Sequence, residues 1–265
     1  MNLKKYSKLT PVCLISDTII RSPIQANTWE LPMEKNNEAK TENLLSTSLQ
    51  EEILIITLND GKANAFGPPM IQALDKALDE AKSNAKAVII KGRPGLFSAG
   101  FDLKVIKAGG KAREEMMRSG DALALKLFKW PQPVIYAVTG HAMALAAIML
   151  LGGDYRIGLE GDFKIGLNEV AIGMPMPYSG VESARFRIPS KWLHRTVAHA
   201  EILDPAQAMD ACFLDAVASN EDDMMKMALA EAKRIAAFEQ EVFATTKMRI
   251  RQPCLTALEE IHCQS

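Results

Sequence analysis

Short apolar runs alternate with longer amphipathic stretches through the first two thirds of the chain. Three runs that are β-branched or wholly apolar predict buried strands: residues 53–58, 87–90 and 134–138. Apolar residues at helical spacing predict a helix that begins at Pro68 and a long helix over residues 111–130. Residues 155–159 and 163–165 are further short strand candidates. Because strands alternate with helices, the pattern predicts an α/β fold built from βαβ units.

The pattern beyond residue 179 is mostly helical. Ser190 and Asp204 are predicted helix N-caps, and Pro205 would occupy the first position of the second of these helices. Residues 222–247 keep a long helical period. The apolar run at residues 142–151 has the length of a buried helix and is too short to span a bilayer.

Three parts of the chain differ in character. Residues 1–47 are expected to be a mobile extension, because residues 34–43 have the polar composition of a solvated linker. The α/β core is expected in residues 48–200 and a helical region in residues 201–265. The start of the chain is basic, so residues 1–32 are also considered as a targeting segment. That segment would direct the protein to an organellar matrix, whereas the simplest expectation is a cytoplasmic protein.

The composition excludes several classes of function. The chain has 265 residues, of which 48% are hydrophobic, and this is enough for a large globular core. A net charge of −1 without a basic stripe argues against nucleic acid as a partner. The sequence contains no run of 18 apolar residues, so a membrane-spanning helix is not predicted. The cysteines form no CxxC pair and no zinc-ligand spacing, so a reduced compartment without a metal site is predicted: Cys13, Cys212, Cys254 and Cys263.

The first candidate site segment runs from Phe97 to Leu103 and has the sequence FSAGFDL. Its small residues let the backbone approach a ligand closely, at a junction between a predicted strand and a predicted helix. We predict that the Ala99 N–H is a hydrogen-bond donor for a developing oxyanion. The alternative is an ordinary glycine turn that joins a strand to a helix.

The second segment, GHAMALA, runs from Gly140 to Ala146 and follows the third predicted strand. The helix predicted after it is apolar on all sides and therefore deeply buried. The N-terminus of such a helix carries a partial positive charge that can polarise a carbonyl oxygen. The alternative is a core helix that binds no ligand.

Glu169 is the third candidate, and it precedes the apolar pair Val170 and Ala171. An acid with apolar neighbours often has a raised pKa and can act as a base. The alternative is a surface residue or a helix-capping acid. Two backbone donors and one acid/base group are the minimum equipment for moving a proton beside a carbonyl group.

Taken together, these segments resemble the crotonase, or enoyl-CoA hydratase/isomerase, superfamily over about residues 50–260. The strand end PVIYAVTG at residues 133–140, the GDYRI segment at residues 153–157 and the IGLNE segment that ends at Glu169 also correspond to family motifs. The resemblance implies a spiral of ββα units with a helical C-terminal region that builds homotrimers, or hexamers made of two trimers. It also implies an acyl-CoA substrate and neither a further cofactor nor a metal.

The resemblance implies roles for individual residues. The Ala99 N–H corresponds to the first oxyanion-hole donor and the Leu145 N–H to the second, where the family commonly has glycine, so the leucine side chain needs room. Contacts with CoA or substrate are expected from two loops and a C-terminal lysine: Lys62, Ala63, Asn64, Ala65, Phe66, Ser98, Gly100, Phe101, Asp102, Leu103 and Lys247. For Lys247, the alternative is a solvated helix face. The expected acyl pocket consists of Ile148, Met143, Met174 and Pro175.

One position departs from the family pattern. Hydratases of this family carry two glutamates that hold and activate water; Glu169 corresponds to the second, and Ile148 occupies the place of the first. A single carboxylate beside an apolar residue resembles the Δ3,Δ2-enoyl-CoA isomerases. Addition of water needs two acid/base groups, whereas a 1,3-proton shift needs only one. We therefore predict that Glu169 removes the C2 proton of a 3-enoyl thioester and returns it to C4.

Two other functions are considered. A hydratase or another crotonase-type acyl-CoA enzyme would need a substitute for the missing carboxylate, from His141 or Tyr178. However, a backbone-bonded His141 and a packed Tyr178 are predicted instead. A non-catalytic acyl-CoA-binding protein is the second alternative, motivated by the loss of the first glutamate and of the glycine at residue 145. Asp102 is expected to cap the helix that follows it.

Overall fold

The computed structural model describes residues 44–262, with side chains described as far as Glu259. The predicted targeting segment and nearly all of the predicted mobile extension, residues 1–43, lie outside the described residues. Among the helices of the described range, none is both long enough and apolar enough to cross a bilayer.

Nine strands in the described part of the chain form two sheets. The larger sheet has the order β1-β2-β3-β5-β7-β9, and the smaller has the order β4-β6-β8. All neighbouring strands are parallel except β1 and β2, which pair antiparallel. The bounds are β1 Leu45–Gln50, β2 Ile53–Leu58, β3 Ala87–Lys91, β4 Gly95–Ser98, β5 Val134–Val138, β6 Gly140–Met143, β7 Tyr155–Leu159, β8 Ile165–Gly166 and β9 Ala216–Ala218.

Nine α-helices lie in the same described range. Their bounds are α1 Pro68–Asn84, α2 Leu103–Ala108, α3 Gly110–Phe128, α4 Leu145–Leu151, α5 Tyr178–Arg187, α6 Ser190–Val197, α7 Pro205–Asp210, α8 Glu221–Ala236 and α9 Gln240–His262. The apolar face predicted for α1 is buried, which confirms the helical spacing used to predict it: Ile71, Leu74, Leu78 and Ala81.

The elements repeat in a fixed order along the chain. The pairs β3 and β4, β5 and β6, and β7 and β8 each place one strand in the larger sheet and the next in the smaller sheet. The first two pairs are followed by α2 and α4, and the third by a 3₁₀ helix at Val170–Ile172 and then α5. This repeat is the predicted spiral of ββα units, and it puts the ends of β4, β6 and β8 side by side.

Side chains of the larger sheet point alternately to two faces, as the period of a strand requires. On one face, Ile56 and Leu58 pack in a core that also contains Leu74 of α1 and Leu123 of α3. On the other face, Ile53 and its neighbours pack against one side of α8: Met224, Ala228, Ala232 and Ile235. The sheet is therefore covered on both sides, which explains its almost continuous apolar strands.

The C-terminal part of the chain shares this sheet. Strand β9 pairs with β7 in this larger sheet, and Leu203 also forms a bridge with Ile165 of β8 in the smaller sheet. The predicted division at residue 200 therefore runs through one sheet. At the other end, β1 begins at Leu45, within the residues predicted to be an extension. The long helical period at 222–247 is divided between α8 and α9.

The apolar run at residues 142–151 was predicted to be one helix, and this is wrong. Its first residues belong to β6, and α4 begins only at Leu145. Ala144 between them has φ 53°, a conformation that interrupts both elements. Of the two predicted N-caps, Asp204 is confirmed by a bond from the Gln207 N–H, whereas Ser190 is the first helical residue and Pro189 is the cap.

Candidate active site

The two predicted backbone segments meet at Gly100. A Cβ atom at Gly100 would lie 2.7 Å from the Met143 carbonyl oxygen, 2.8 Å from the Ala144 Cβ and 3.4 Å from the Leu145 nitrogen. Gly100 also has φ +85°, which side chains with a Cβ rarely adopt. Glycine is therefore required here, and its absent side chain lets the first loop approach the Leu145 amide.

The hydrogen bonds of the first loop correct the prediction for Ala99. Its N–H donates to the Ala63 carbonyl at 3.0 Å, so this amide already has an acceptor inside the protein. The Gly100 N–H likewise donates to Ser98 Oγ at 3.1 Å. The next amide along the loop belongs to Phe101, and among the described residues we find no acceptor for it.

The second segment presents amides at the start of α4. The Ile148 N–H closes the first turn by donating to the Ala144 carbonyl at 3.0 Å. The Leu145 amide precedes that turn, so it has no acceptor within the helix. The Ala144 N–H donates to the Gly166 carbonyl at 3.0 Å, which fixes this segment to β8 and to the chain leading to Glu169. The structure thus brings all three predicted segments together.

The loop predicted to contact CoA contains both structural and exposed residues. The Asn64 side chain is fully buried and donates to the carbonyls of Leu58 and Phe97, each at 3.0 Å. Phe66 is also fully buried, and its N–H donates to the Gly100 carbonyl at 2.8 Å. Of the predicted contacts in this loop, Lys62 is exposed while Ala63 and Ala65 are half-buried.

Other predicted contacts in the first segment, residues 97–103, also have internal roles. Buried Ser98 donates from Oγ to the Asn64 carbonyl at 2.7 Å. Asp102 accepts the Lys104 N–H at 2.8 Å and is the N-cap of α2, as predicted. Leu103 is 55% exposed. Sequence patterns could not separate these roles, because the same small and polar residues serve turns and ligands.

Glu169 lies between β8 and the 3₁₀ helix, and it is only 6% exposed. Its Oε2 atom is buried and has no hydrogen-bond partner among the described residues. Burial raises the pKa of the Glu169 carboxyl above its usual range, and a bond with its own backbone opposes this only in part. A buried carboxylate that has one oxygen without a partner and a raised pKa is suited to accept a proton, which agrees with the predicted base.

Ile148, the residue that the sequence resemblance matches to a second carboxylate of the hydratases, lies in an apolar contact. Ile148 is 4% exposed. A Cβ atom at Gly180 of α5 would lie 3.0 Å from Ile148 Cδ1 and 2.7 Å from Met176 Sδ. Of the other predicted pocket residues, Met143 and Met174 are half-buried and Pro175 is exposed. Met176, one of several methionines close together in this part of the sequence that could line a flexible pocket, also borders Gly180.

Lys247 is not free to bind a phosphate, so its prediction is wrong, as is the alternative of a solvated helix face. The side chain is 4% exposed, and Nζ donates to Asp154 Oδ2 at 2.5 Å and to the Gln132 carbonyl at 3.0 Å. Burial lowers the pKa of Lys247 to about 8, although the neighbouring Asp154 carboxylate opposes this. The lysine holds α9 against the strand ends.

His141 and Tyr178, the two alternative acid/base candidates, lie in different surroundings. His141 Nδ1 accepts the Lys164 N–H at 2.9 Å, which confirms a backbone-bonded histidine. Tyr178 is 68% exposed, so its predicted packing is wrong. It is the first residue of α5, a position at the helix end where side chains face solvent easily. Within the described range, no three His, Cys, Asp or Glu side chains are grouped as metal ligands would be.

Comparison with known proteins supplies the family. A profile of the enoyl-CoA hydratase/isomerase family matches residues 48–263, most of the chain. The chain belongs to the enoyl-CoA hydratase/isomerase family. Membership supports an enzyme that acts on acyl-CoA, and the paired sheets with a helical C-terminal region agree with the crotonase fold.

Relatives with solved structures carry both names of this family. An enoyl-CoA hydratase/isomerase family protein from Pseudomonas syringae is 40% identical with a TM-score of 0.80, over 83% of this chain and 95% of that one. A Mycobacterium tuberculosis protein is 35% identical with a TM-score of 0.78, over 82% of this chain and 92% or 95% of that one in two structures. One of those structures is described as a probable enoyl-CoA hydratase and the other as an enoyl-CoA isomerase.

Curated relatives show the same division. A probable enoyl-CoA hydratase of Bacillus subtilis is 23% identical over 77% of this chain and 80% of its own length. Enoyl-CoA delta isomerases from Arabidopsis thaliana and rat are 29% identical, but the match spans only about half of their length. Membership in the enoyl-CoA hydratase/isomerase family therefore leaves the choice of reaction to the residues of the site.

Proposed function

We propose that this protein is a Δ3→Δ2-enoyl-CoA isomerase in which Glu169 alone transfers the proton. The observation that carries the proposal is the environment of its carboxyl group. The group is buried, Oε2 has no partner among the described residues, and the pKa is raised. At residue 148, where the sequence resemblance places the second carboxylate of the hydratases, the side chain is a buried isoleucine. One unpaired base suits a 1,3-proton shift, which needs a single group that first accepts and then donates.

In the proposed reaction, Glu169 removes a proton from C2 of a 3-enoyl thioester. The electrons of that C–H bond form a C1–C2 double bond while the carbonyl π electrons move to the oxygen, which gives the dienolate. Its collapse restores the carbonyl, moves the C1–C2 π electrons to a C2–C3 double bond and directs the former C3–C4 π electrons to a new C–H bond at C4. The protonated Glu169 then donates the same proton to C4, so that the product is the 2-enoyl thioester and the carboxylate is restored. No water is consumed or released, which balances the reaction without a further reactant or cofactor.

We assign the dienolate oxygen to the amides of Phe101 and Leu145. The assignment is supported by the Ala99 N–H being bonded to Ala63, and by the close approach of Gly100 to the Leu145 nitrogen. Backbone donors fixed in this way stabilise negative charge as it develops, and loss of one such donor typically lowers kcat by about 10²–10³-fold.

The apolar contact around Ile148 supports isomerisation over hydration. Ile148 and Met176 both border Gly180, so residue 148 contributes an apolar side chain and no group that could hold a water molecule. The names of the relatives keep hydration as a second candidate. It would require another acid or base, but His141 already accepts a backbone N–H and Tyr178 is largely exposed.

The proposal includes binding and assembly. Exposed Lys62 and the half-buried residues Ala63 and Ala65 are proposed to contact the CoA part of the substrate, with no separate cofactor. We also propose a homotrimer or a hexamer of two trimers. Apolar side chains exposed around α9 support self-association, because single chains rarely leave several large ones in solvent: Phe238, Val242 and Ile250. A cytoplasmic location remains the expectation for the assembled protein.

The proposal is tested by incubating the purified protein with 3-hexenoyl-CoA and, separately, with crotonyl-CoA, and identifying the products by mass spectrometry and chromatography. We expect the first to become 2-hexenoyl-CoA and the second to remain without added water. Hydration of crotonyl-CoA would replace the proposal with a hydratase. Saturable binding of both thioesters without turnover would replace it with an acyl-CoA-binding protein.

A further inference from the structure

Gly120 lies within α3, an interior helix position at which alanine is normally more favourable than glycine. Two side chains occupy the space beside it. A Cβ atom at Gly120 would lie 2.4 Å from Cε1 and 2.6 Å from Cζ of Phe101, and 2.9 Å from Cδ2 of Leu145. Contacts this short essentially never occur for real Cβ atoms, so a side chain here would force its neighbours to move.

The two neighbours of Gly120 are the residues whose amides we assign to the dienolate oxygen. The Leu145 side chain is fully buried and Phe101 packs on the same core. Leucine at residue 145 needs more room than the glycine expected there, and the bare backbone at Gly120 supplies that room. One position in α3 therefore accommodates both donor residues.

We propose that Gly120 is a positioning residue that keeps the Phe101 and Leu145 amides aligned on the substrate oxygen. The proposal rests on the function proposed above for these two amides. The loop around Phe101 is fixed on both sides, by the Phe66 bond to the Gly100 carbonyl and by the Asp102 cap. Because the Phe101 ring also packs on the core, it has little room to turn aside, so a Cβ atom at residue 120 would press through the ring on the Phe101 backbone and strain these bonds. Catalytic donors must be held within about 0.5 Å of their productive positions.

Gly158 in β7 provides a matched control. A Cβ atom there would lie 2.5 Å from Cδ1 of Leu214, so Gly158→Ala creates a similarly crowded contact with a side-chain end. Neither Gly158 nor Leu214 belongs to the two oxyanion segments. A purely structural role for Gly120 predicts that both substitutions affect stability and leave kcat per folded molecule alone.

The kinetic test compares Gly120→Ala with Gly158→Ala at equal folded concentration. Loss of alignment predicts that kcat for 3-hexenoyl-CoA falls about 10–100-fold in Gly120→Ala, less than the full loss of one donor, while KM changes less than about threefold. Gly158→Ala should keep kcat within about threefold of the unsubstituted protein. An unchanged kcat in folded Gly120→Ala, or an equal loss in Gly158→Ala, would overturn the proposal.

A double variant keeps the test informative if Gly120→Ala does not fold. Phe101→Ala removes the ring atoms that lie 2.4 and 2.6 Å away but retains the backbone amide. Of the three atoms nearest to that Cβ position, only Cδ2 at the flexible end of Leu145 then remains. We expect Gly120→Ala to change kcat by less than about threefold when it is added to Phe101→Ala, and a tenfold further loss would contradict the proposed contact.

A spectroscopic measurement separates failure of this proposal from failure of the proposed function. The probe is butanoyl-CoA labelled with ¹³C at its carbonyl carbon, which cannot isomerise. Aligned donors lower the carbonyl stretching frequency of the bound probe, and Gly120→Ala should reduce that shift while Gly158→Ala preserves it. No shift in the unsubstituted protein would refute the oxyanion assignment itself. An equal shift in both variants would refute only the role of Gly120.

Discussion

Two carboxylates of this protein are buried in opposite ways. Glu169 has an oxygen with no partner among the described residues, and its pKa is raised by burial. Asp154, whose side chain is 10% exposed, accepts from the Val134 N–H at 2.8 Å, from Lys247 at 2.5 Å and from Arg251 at 2.9 Å. The first carboxylate is left able to exchange a proton, whereas the second is fully engaged in holding α9 to the sheet.

The difference between Glu169 and Asp154 shows that burial alone does not determine the role of an acidic side chain. A buried charge without a partner is costly, and a protein keeps one chiefly where the chemistry requires it. A buried charge with several donors is structural, because each donor offsets part of the cost of leaving water. We therefore expect changes at Glu169 to affect turnover and changes at Asp154 to affect folding.

The largest effect is expected from Glu169→Gln. The amide preserves the size of the side chain but cannot accept the C2 proton, so kcat for 3-hexenoyl-CoA should fall about 10²–10⁴-fold. Thermal unfolding should occur at the same or a higher temperature at pH 8, because a buried unpaired charge is removed. Initial rates and a thermal scan measure the two quantities.

Glu160→Gln is the control for this substitution, since Glu160 is exposed. It should leave both turnover and unfolding temperature unchanged. Activity of Glu169→Gln within tenfold of the unsubstituted protein would contradict the assignment of Glu169 as the base.

Asp154→Ala should have the next largest effect, on stability. Lys247 and Arg251 would lose their shared carboxylate while remaining buried, which costs about 3–5 kcal/mol of the free energy of unfolding. Denaturant titration measures this loss, and kcat per folded molecule should stay within about threefold. Asp162→Ala, at an exposed position, should cost less than about 0.5 kcal/mol. Equal losses of unfolding free energy in Asp154→Ala and Asp162→Ala would show that the contacts of Asp154 with Lys247 and Arg251 contribute nothing to stability.

Lys247→Met should have a smaller effect of the same kind. Asp154 would keep Arg251 and the Val134 N–H, while the Gln132 carbonyl would lose the bond from Lys247 as well. We expect a loss of about 1.5–3 kcal/mol, the range for hydrogen bonds to charged groups. KM for the CoA thioester should not change, because the buried amine does not reach solvent. A severalfold rise in KM, absent from a Lys226→Met control with an exposed lysine, would restore the CoA contact predicted from the sequence.

The sequence predicted the larger elements because their apolar spacing is regular. Strands β2, β3, β5 and β7 and helix α1 all begin at the predicted residues. Residues 142–151 were mispredicted because their composition is apolar throughout, and only the positive φ of Ala144 separates β6 from α4. Strand β9 has three residues and depends on pairing with distant β7, so local pattern carries little signal for it.

The candidate site was predicted in outline and not in detail. Glu169 was identified from its apolar neighbours, which are local in sequence. Ala99 was chosen as a donor although its acceptor, Ala63, lies 36 residues earlier, and no local pattern shows that bond. The partner of Lys247 is 93 residues away, so its burial was equally hidden. Gly120 had one signal, an isolated glycine inside a helical pattern, which often marks close packing.

The most direct test of the central claim is the pH dependence of kcat/KM for 3-hexenoyl-CoA, combined with an infrared titration of the Glu169 carboxyl that uses Glu169→Gln as the reference. The base is active only when deprotonated, so activity should be lost as pH falls through the Glu169 pKa. Because burial raises that pKa above the ordinary 4.5, we predict that the activity loss and the carboxyl titration coincide above 4.5. Titration of Glu169 at or below 4.5, or activity that persists after the carboxyl is protonated, would contradict the account.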